Sequence, residues 1–258
     1  MSEDPRWLSV LLSGPNANRW KLVRDTVSQV LPQEEGLRIY VTADEFDRAR
    51  EEFPADRYEV AEWRLRDGAL EFSEPLSIER NNFLLYGLPA FPDDLLEGLA
   101  KAYRRGQFEI GRVITQVQCG WCAHVEEAKG WFDGCIHFSD LVLLDSRPEV
   151  EDLWVRDYQE HYRKLRFPCH FDLVRKGLPK HPLWVFDSQP RRMSLIFDPD
   201  ELSGASEAEY EIEGDEPDDD EEVESLGDPF LRRNAAGERE RKVRPLPFSL
   251  DGPAESQK

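Results

Sequence analysis

Basic residues, cysteines and long apolar runs are all scarce in this sequence. Its 33 lysines and arginines face 53 acids, which gives a formal net charge of −20. Nucleic acids and anionic membranes both attract basic surfaces, so this deficit excludes general binding to either. No apolar run approaches the roughly 20 residues that a helix needs to span a bilayer, and the acidic start MSEDPRW is unlike a secretory signal. Four cysteines in 258 residues do not indicate a disulfide framework. We therefore expect a cytoplasmic protein.

What the sequence does contain is an alternation of strands and helices, clearest between Gly111 and Phe167. Arg112–Val117 and Asp140–Leu144 are short, largely apolar and bounded by turn residues, as the buried strands of a parallel sheet are. Apolar residues recur at helical spacing over Val125–Phe138, and again over Val150–Leu165. This strand–helix–strand–helix order predicts an α/β fold with a mainly parallel sheet.

The same alternation runs through the rest of the first 200 residues. Asp67-Gly68 lies between two strand-like runs within 57–72 and predicts a hairpin. The other predicted strands are Trp7–Leu12, Leu37–Thr42, Asn82–Leu88, Phe171–Val174, Leu183–Phe186 and Met193–Phe197, and the other predicted helices are Trp20–Leu31, Ala43–Phe53 and Pro92–Tyr103. We expect one three-layer sandwich over residues 1–202.

The composition changes after Leu202. Residues 207–224 hold twelve acids and no lysine or arginine, and such a run cannot bury enough apolar surface to offset its ordering entropy. Six basic residues then accompany the apolar side chains of residues 230–250. We expect 203–258 to be a disordered tail, acidic and then basic. Residues 230–250 suit an acidic groove with apolar pockets, either on a protein partner or on this protein's own body; the alternative is a tail that only adds solubility.

The order of the elements resembles the CobW family of P-loop GTPases over about residues 7–175. The segments that carry this resemblance are SGPNAN, NFLLYGLPAFPDDLL, RVITQVQC and FSDLVLLDSR. In that family the first strand leads into a phosphate loop of the form G-x-x-x-x-G-K-[ST]. The resemblance implies a P-loop-NTPase-like fold and a degenerate phosphate loop formed by Gly14, Asn16, Asn18 and Lys21.

The residues that would handle a nucleotide are replaced at each matching place. Residues 19–21 (RWK) stand where the loop's second glycine, its lysine and its Ser/Thr belong. Leu85 takes the place of the acid in E-x-x-G-x-x-x-P, Gln118 that of the next strand's aspartate, and residues 145–148 (DSRP) that of N-K-x-D. The family's C-x-C-C motif has no counterpart. The resemblance therefore implies a pseudo-GTPase that binds GTP weakly or not at all and acts by binding proteins; the alternative is a chain that shares only the general α/β fold.

A second set of candidates combines Cys119, Cys122 and His124 with Cys135 and His137. These are ligand types that zinc prefers, and the first three follow a strand end, where open α/β sheets bind ligands. One site made from all five is disfavoured, because a continuous helix would separate His124 from Cys135 by about 16 Å. The sequence leaves Cys119, Cys122 and His124 as a candidate zinc site or as the centre of a metal- or thiol-dependent enzyme. Cys135 lies on the apolar helix face and is expected to be buried, with Cys119 or Cys122 the more accessible thiol.

Overall fold

The computed structural model describes residues 6–15, 17–145, 149–198 and 228–247. Its strands are β1 (Trp7–Ser13), β2 (Leu37–Val41), β3 (Tyr58–Arg66), β4 (Ala69–Phe72), β5 (Asn81–Tyr86), β6 (Glu109–Gln118), β7 (Leu141–Asp145), β8 (His170–Arg175) and β9 (Leu178–Pro179). Its helices are α1 (Arg19–Val30), α2 (Phe46–Glu52), α3 (Asp93–Arg104), α4 (Cys119–His124), α5 (Glu126–His137) and α6 (Asp152–Lys164). Short 3₁₀ turns cover Ala43–Glu45 and Pro182–Val185.

The nine strands form one sheet in the order β4-β3-β2-β5-β1-β6-β7-β8-β9. All pairings from β3 to β8 are parallel, and the outer strands β4 and β9 pair antiparallel with their neighbours. The carboxyl ends of seven parallel strands therefore open at one edge of the sheet. The predicted α/β class with a mainly parallel sheet is confirmed.

Helices cover both faces of this sheet. The core on one face includes side chains of α1 and α2, among them Trp20, Val23 and Ala49. The larger core on the other face includes side chains of α3, α4, α5 and α6. Because both faces are covered, the central strands are apolar on both sides, as the sequence pattern predicts. Within the described part of the chain, no helix is long and apolar enough to cross a bilayer.

Two local features follow from backbone geometry. Asp67 and Gly68 have φ values of 52° and 73°, which is the type I′ geometry of a two-residue hairpin, so the predicted hairpin is confirmed. In β6 the register against β1 shifts at Gly111, which forms a bulge. A Cβ at Gly111 would meet the Ser9 hydroxyl at 2.9 Å, so the serine side chain would have to move to admit a larger residue there. This shift alters the alternation of β6 and so the face that Arg112 occupies.

Two predicted strands near the end of the sheet are wrong. Leu183–Phe186 falls on a 3₁₀ turn that starts at Pro182, because a proline at the first position favours a helical turn. Met193–Phe197 forms turns and pairs with no strand. In their place the sheet ends with β9, a two-residue strand that the sequence pattern does not reveal.

The segment of residues 228–247 packs on the body of the protein, and we call it the C-terminal segment. Its residues Phe230, Leu231 and Leu246 are at most 4% exposed and belong to the larger core. The ring of Phe230 lies within 5.8 Å of Phe91 and 5.1 Å of His137, centroid to centroid. The predicted boundary after residue 202 therefore does not mark the end of the folded body, because apolar side chains of the C-terminal segment complete its core.

Ion pairs hold the same segment against the start of α3. Arg239 is paired with Asp93 at 3.0 Å and also with Glu97, while Arg233 contacts Glu97 at 2.9 Å. Despite the burial that opposes it, this contact with arginines lowers the pKa of Glu97 to about 2. The acidic side chains at the start of α3 also interact favourably with the positive end of the helix dipole. Two basic residues of the C-terminal segment, Arg233 and Arg239, thus bind an acidic patch of the protein's own body.

We expect Leu231→Ala to lower the free energy of unfolding by about 2–4 kcal/mol, because the substitution empties a filled core position. Leu183→Ala serves as the matched control, since Leu183 is 68% exposed and its truncation should change the free energy by no more than about 0.5 kcal/mol. Urea denaturation followed by tryptophan fluorescence measures both. Equal, small effects of the two variants would show that the C-terminal segment does not belong to the folded core.

Candidate functional site

A cleft of about 550 Å³ opens at the carboxyl edge of the sheet, beside the start of α1. Three loops that follow β1, β2 and β5 line it. The lining residues are Pro15, Ala17, Asn18, Arg19, Trp20, Asp44, Glu45, Arg48, Glu52, Gly87, Leu88 and Pro89. Ligands of open α/β sheets bind at this edge, and the sequence predicts its phosphate loop here.

Arg19 fills the position at which a phosphate loop has its second glycine. Its side chain is 6% exposed and pairs with Glu45 from the loop after β2. Its guanidinium lies directly on Gly87, where any Cβ would collide with it. A buried guanidinium needs a partner charge, and Glu45 supplies it. The arginine therefore fills the space between the start of α1 and Gly87.

The other predicted loop residues do not converge on one bound group. Gly14 precedes the cleft, and Asn18 occupies the N-cap position of α1 without a side-chain hydrogen bond to the helix. Lys21 lies outside the cleft: its ammonium pairs with Asp25, and its side chain passes over Gly177 in the β8–β9 turn. Asn16 lies outside the described residues. Lys21 therefore cannot serve as a phosphate ligand in this arrangement.

Side chains from three directions enclose Gly14. A Cβ at this position would lie 3.0 Å from Leu246 and 3.2 Å from Trp121, and it would collide with the Gln118 amide. Leu246 is fixed there by its backbone N–H, which donates to the Pro89 carbonyl at 2.8 Å. The C-terminal segment thus covers the first glycine of the predicted loop.

The charges of the cleft are poorly suited to a polyphosphate. Arg19 is neutralised by Glu45, and Arg48 lies over the Trp20 ring at 4.7 Å. The lining contains two arginines and three acids. Since no lysine or hydroxyl group at the start of α1 faces the cleft, nothing in the lining matches the phosphate and magnesium ligands of an active P-loop.

All four cysteines are buried, whereas a reactive thiol has to be accessible to solvent. Burial raises the pKa of Cys122 and of Cys169 to about 12, and it also raises the pKa of Cys135. Cys135 is fully buried on α5, as expected, but Cys119 is equally buried and Cys122 is 6% exposed. Cys122 is thus slightly more exposed than Cys135, as expected, whereas Cys119 is not, because α4 turns both side chains into the larger core.

Cys119, Cys122 and His124 all lie on α4, yet the structure does not assemble them into a metal site. His124 is exposed at the end of the helix, whereas the two cysteines face the core. Among the described residues, no group of three His, Cys, Asp or Glu side chains is arranged to hold a metal ion. Zinc binding and a thiol-dependent reaction at this turn are thus unsupported.

Sequence reasoning misses the residues that define the cleft. Arg19 and Glu45 are 26 positions apart, and nothing in their spacing indicates a pair. Leu246 lies in the part of the chain expected to form a tail. One signal in the sequence could have indicated the pair, namely an arginine at the position where a phosphate loop has its second glycine. A buried side chain of that size and charge needs an acidic partner, so a carboxylate nearby could have been expected.

No family model and no curated protein matches the chain. Among solved structures, the chain is similar to the zinc-bound YjiA GTPase from E. coli, with a TM-score of 0.39 and 10% sequence identity. The match covers 72% of this chain and 66% of that chain. A likeness at this level carries no argument about function.

We expect the native protein to react slowly with a disulfide reagent at pH 8. Thiolates are the reactive species, and a pKa of about 12 leaves almost no thiolate of Cys122 or Cys169 at this pH, so these two thiols should react at least about 100-fold more slowly than a small-molecule thiol. The time course of thiol release measures this, with the same protein in guanidinium as the control that shows all four thiols. One thiol that reacts at the rate of the unfolded chain would support the hypothesis of a reactive cysteine.

Proposed function

We propose that this chain is a non-catalytic α/β protein, a pseudo-GTPase in the sense that its sheet edge resembles a nucleotide site without the groups that hold a nucleotide, and that it acts by binding another protein. The observation that carries this proposal is Arg19. Its buried guanidinium, paired with Glu45 and resting on Gly87, occupies the turn that a phosphate would need. Leu246 covers Gly14 beside it, which supports the same conclusion.

The outward side of the C-terminal segment supports a role in protein binding. Phe230 and Leu246 anchor the segment from below. Four other cationic side chains of the segment are exposed, and we call them the basic strip: Arg232, Arg241, Lys242 and Arg244. Three of them pair with the glutamates Glu240, Glu238 and Glu127, and Arg241 lies over the Phe230 ring at 4.0 Å. Such a strip is unusual on a protein with a net charge of −20. We propose that it contacts an acidic surface of a protein partner, because complementary charge gives an interface its specificity and its rate of association.

The proposal predicts that magnesium-GTP does not bind with measurable affinity. Titration calorimetry at up to about 1 mM nucleotide should give no saturable heat, because a nucleotide would have to displace the Arg19–Glu45 pair without gaining a lysine or a magnesium ligand. Low-micromolar, magnesium-dependent binding would sink the proposal.

A variant of the loop after β1 tests which residues prevent nucleotide binding. The triple substitution Arg19→Gly, Trp20→Lys and Lys21→Ser recreates the phosphate-loop pattern after Gly14. A gain of nucleotide affinity in this variant, compared with the unaltered protein, would assign the loss to these three positions. If the affinity does not change, the cover formed by Leu246 and the missing N-K-x-D residues account for it.

Partner capture tests the basic strip. We expect the charge-reversal variant Arg232→Glu, Lys242→Glu, Arg244→Glu to lose proteins that the unaltered chain retains from a lysate at low salt. These side chains are 53%, 73% and 80% exposed, so their reversal should leave folding largely intact. Mass spectrometry of the retained proteins gives the comparison.

The control reverses three exposed charges on α6, with Arg156→Glu, Arg163→Glu and Lys164→Glu, which changes the net charge by the same amount. Proteins lost by the first variant and retained by this one are partners of the basic strip. If both variants retain the same proteins as the unaltered chain, the strip does not bind a partner.

A further inference from the structure

A second, smaller pocket opens at the carboxyl edge of the sheet, on the face that α3 covers. Its volume is about 330 Å³, and most of its exposed wall is apolar. The lining residues are Thr42, Ala43, Trp63, Arg64, Leu65, Tyr86, Leu88, Ala90, Phe91, Pro92, Asp94 and Leu95. The pocket is larger than the ~150 Å³ apolar cavity that is known to hold a benzene molecule. It therefore has room for one aromatic side chain.

The polar groups of two aromatic side chains in this wall are already used. Trp63 donates its Nε1–H to the Leu85 carbonyl at 3.3 Å, and the Tyr86 hydroxyl donates to the Ala90 carbonyl at 2.9 Å. Both aromatic residues are 4% exposed, and their rings lie 6.2 Å apart, centroid to centroid. The pocket therefore favours an apolar occupant, and an aromatic ring is well suited to pack beside other aromatic rings.

The described part of the C-terminal segment ends beside this pocket. Leu246 donates its backbone N–H to the Pro89 carbonyl at 2.8 Å, and residue 247 is the last one that the structure describes there. Leu88 and Ala90, the two neighbours of Pro89 in the sequence, both line the pocket. Since consecutive Cα atoms are about 3.8 Å apart, the pocket lies within reach of the next few residues.

Leu246 and the pocket also lie on the same face of the sheet. Leu246 belongs to the larger core together with Trp63, Tyr86 and Leu95 of the pocket wall. Trp20, which lines the polar cleft, belongs to the core on the other face. A chain that continues from Leu246 therefore reaches the apolar pocket without crossing the sheet.

The sequence beyond Leu246 supplies an aromatic residue at a suitable distance. Residues 247–250 read PFSL, so Phe248 follows Leu246 by two positions and lies outside the described residues. Two residues of extended chain span up to about 7 Å. Pro247 favours an extended conformation at Leu246, and side chains two positions apart in an extended chain point to the same side. An extended continuation would therefore turn the side chain of Phe248 toward the body, where Leu246 is buried.

We propose that the ring of Phe248 fills the apolar pocket between β3, β5 and the start of α3. Phe248 then adds a fourth apolar anchor to Phe230, Leu231 and Leu246. Leu246 covers Gly14 and Phe248 covers the pocket beside it, so the end of the chain occupies the carboxyl edge as an internal ligand. A protein or small molecule that binds in this pocket has to displace it. This inference does not depend on the function proposed for the chain.

The indole N–H signals in the NMR spectrum of the full chain test the proposal. Trp63 lines the apolar pocket and Trp20 lines the cleft, so each site has its own reporter. The tryptophans are labelled with ¹⁵N, and Trp63→Phe and Trp20→Phe identify the two signals. An aromatic ring shifts the signals of nuclei close to it. We therefore expect Phe248→Ala to move the Trp63 signal and to leave that of Trp7, which is 43% exposed, in place.

Ser249→Ala is the matched control, because it alters the adjacent residue without removing a ring, and it should move neither reporter signal. An unmoved Trp63 signal in Phe248→Ala would overturn the proposal. A shift of the Trp20 signal alone would overturn it as well, because the ring would then occupy the cleft. An equal shift of the Trp63 signal in Ser249→Ala would also count against the proposal, since that signal would not report the ring.

Toluene, which carries the aromatic group of a phenylalanine side chain, gives an independent test. In Phe248→Ala the emptied pocket should bind toluene, and the Trp63 signal should move in a saturable way as the toluene concentration rises. In the unaltered chain the same signal should not respond, because Phe248 occupies the pocket. Equal responses in the two proteins would show that the pocket is open in the unaltered chain and would overturn the proposal. No response in either protein would overturn it too, because the pocket would then not accept an aromatic ring.

Discussion

The parallel pairing of β1 with β5 on one side and β6 on the other is the constraint on which the rest of the structure depends. Parallel neighbours require crossover connections, and these carry the helices that cover both faces of the sheet. The pairing also brings the ends of β1 and β5 to the same edge, so that Pro15, Asn18 and Arg19 lie beside the loop at Gly87. Because of this proximity, one side chain from the start of α1 can close the space between the two loops.

Arg19 shows how a buried charge determines the surrounding structure. The guanidinium of Arg19 lies between α1 and Gly87, where the cost of removing its charge from water must be offset by a nearby carboxylate. Glu45 from the next loop lies in the cleft and supplies that carboxylate. The cleft keeps the volume of a ligand site but acquires acidic lining, with Asp44 and Glu52 beside the neutralised pair. The loss of a nucleotide site that we propose would thus require no change of fold, since one arginine in place of a glycine would alter both the space and the charge.

The parts that could be predicted from the sequence are those that local patterns determine. Buried parallel strands are apolar on both faces, so β1, β5 and β7 stand out, and Asp67-Gly68 identifies its hairpin through its turn chemistry. Leu183–Phe186 is apolar too, but Pro182 decides its structure, and a short apolar run alone does not distinguish a strand from a turn. The accessibility of Cys119 and Cys122 could not be predicted, because it depends on how α4 packs on the core.

The C-terminal segment could not be assigned from composition for a related reason. The acidic run of residues 207–224 predicts a disordered tail over 203–258, but three apolar side chains farther along, Phe230, Leu231 and Leu246, belong to the larger core. The six basic residues of the segment fall into two groups with different contacts, which composition does not distinguish. Arg233 and Arg239 pair with Asp93, Asp94 and Glu97, and of these pairs Arg239–Glu97 is the most buried, while the remaining four basic side chains are exposed. The same segment therefore completes the core on its inner side, covers Gly14 with Leu246, and presents exposed basic side chains on its outer side.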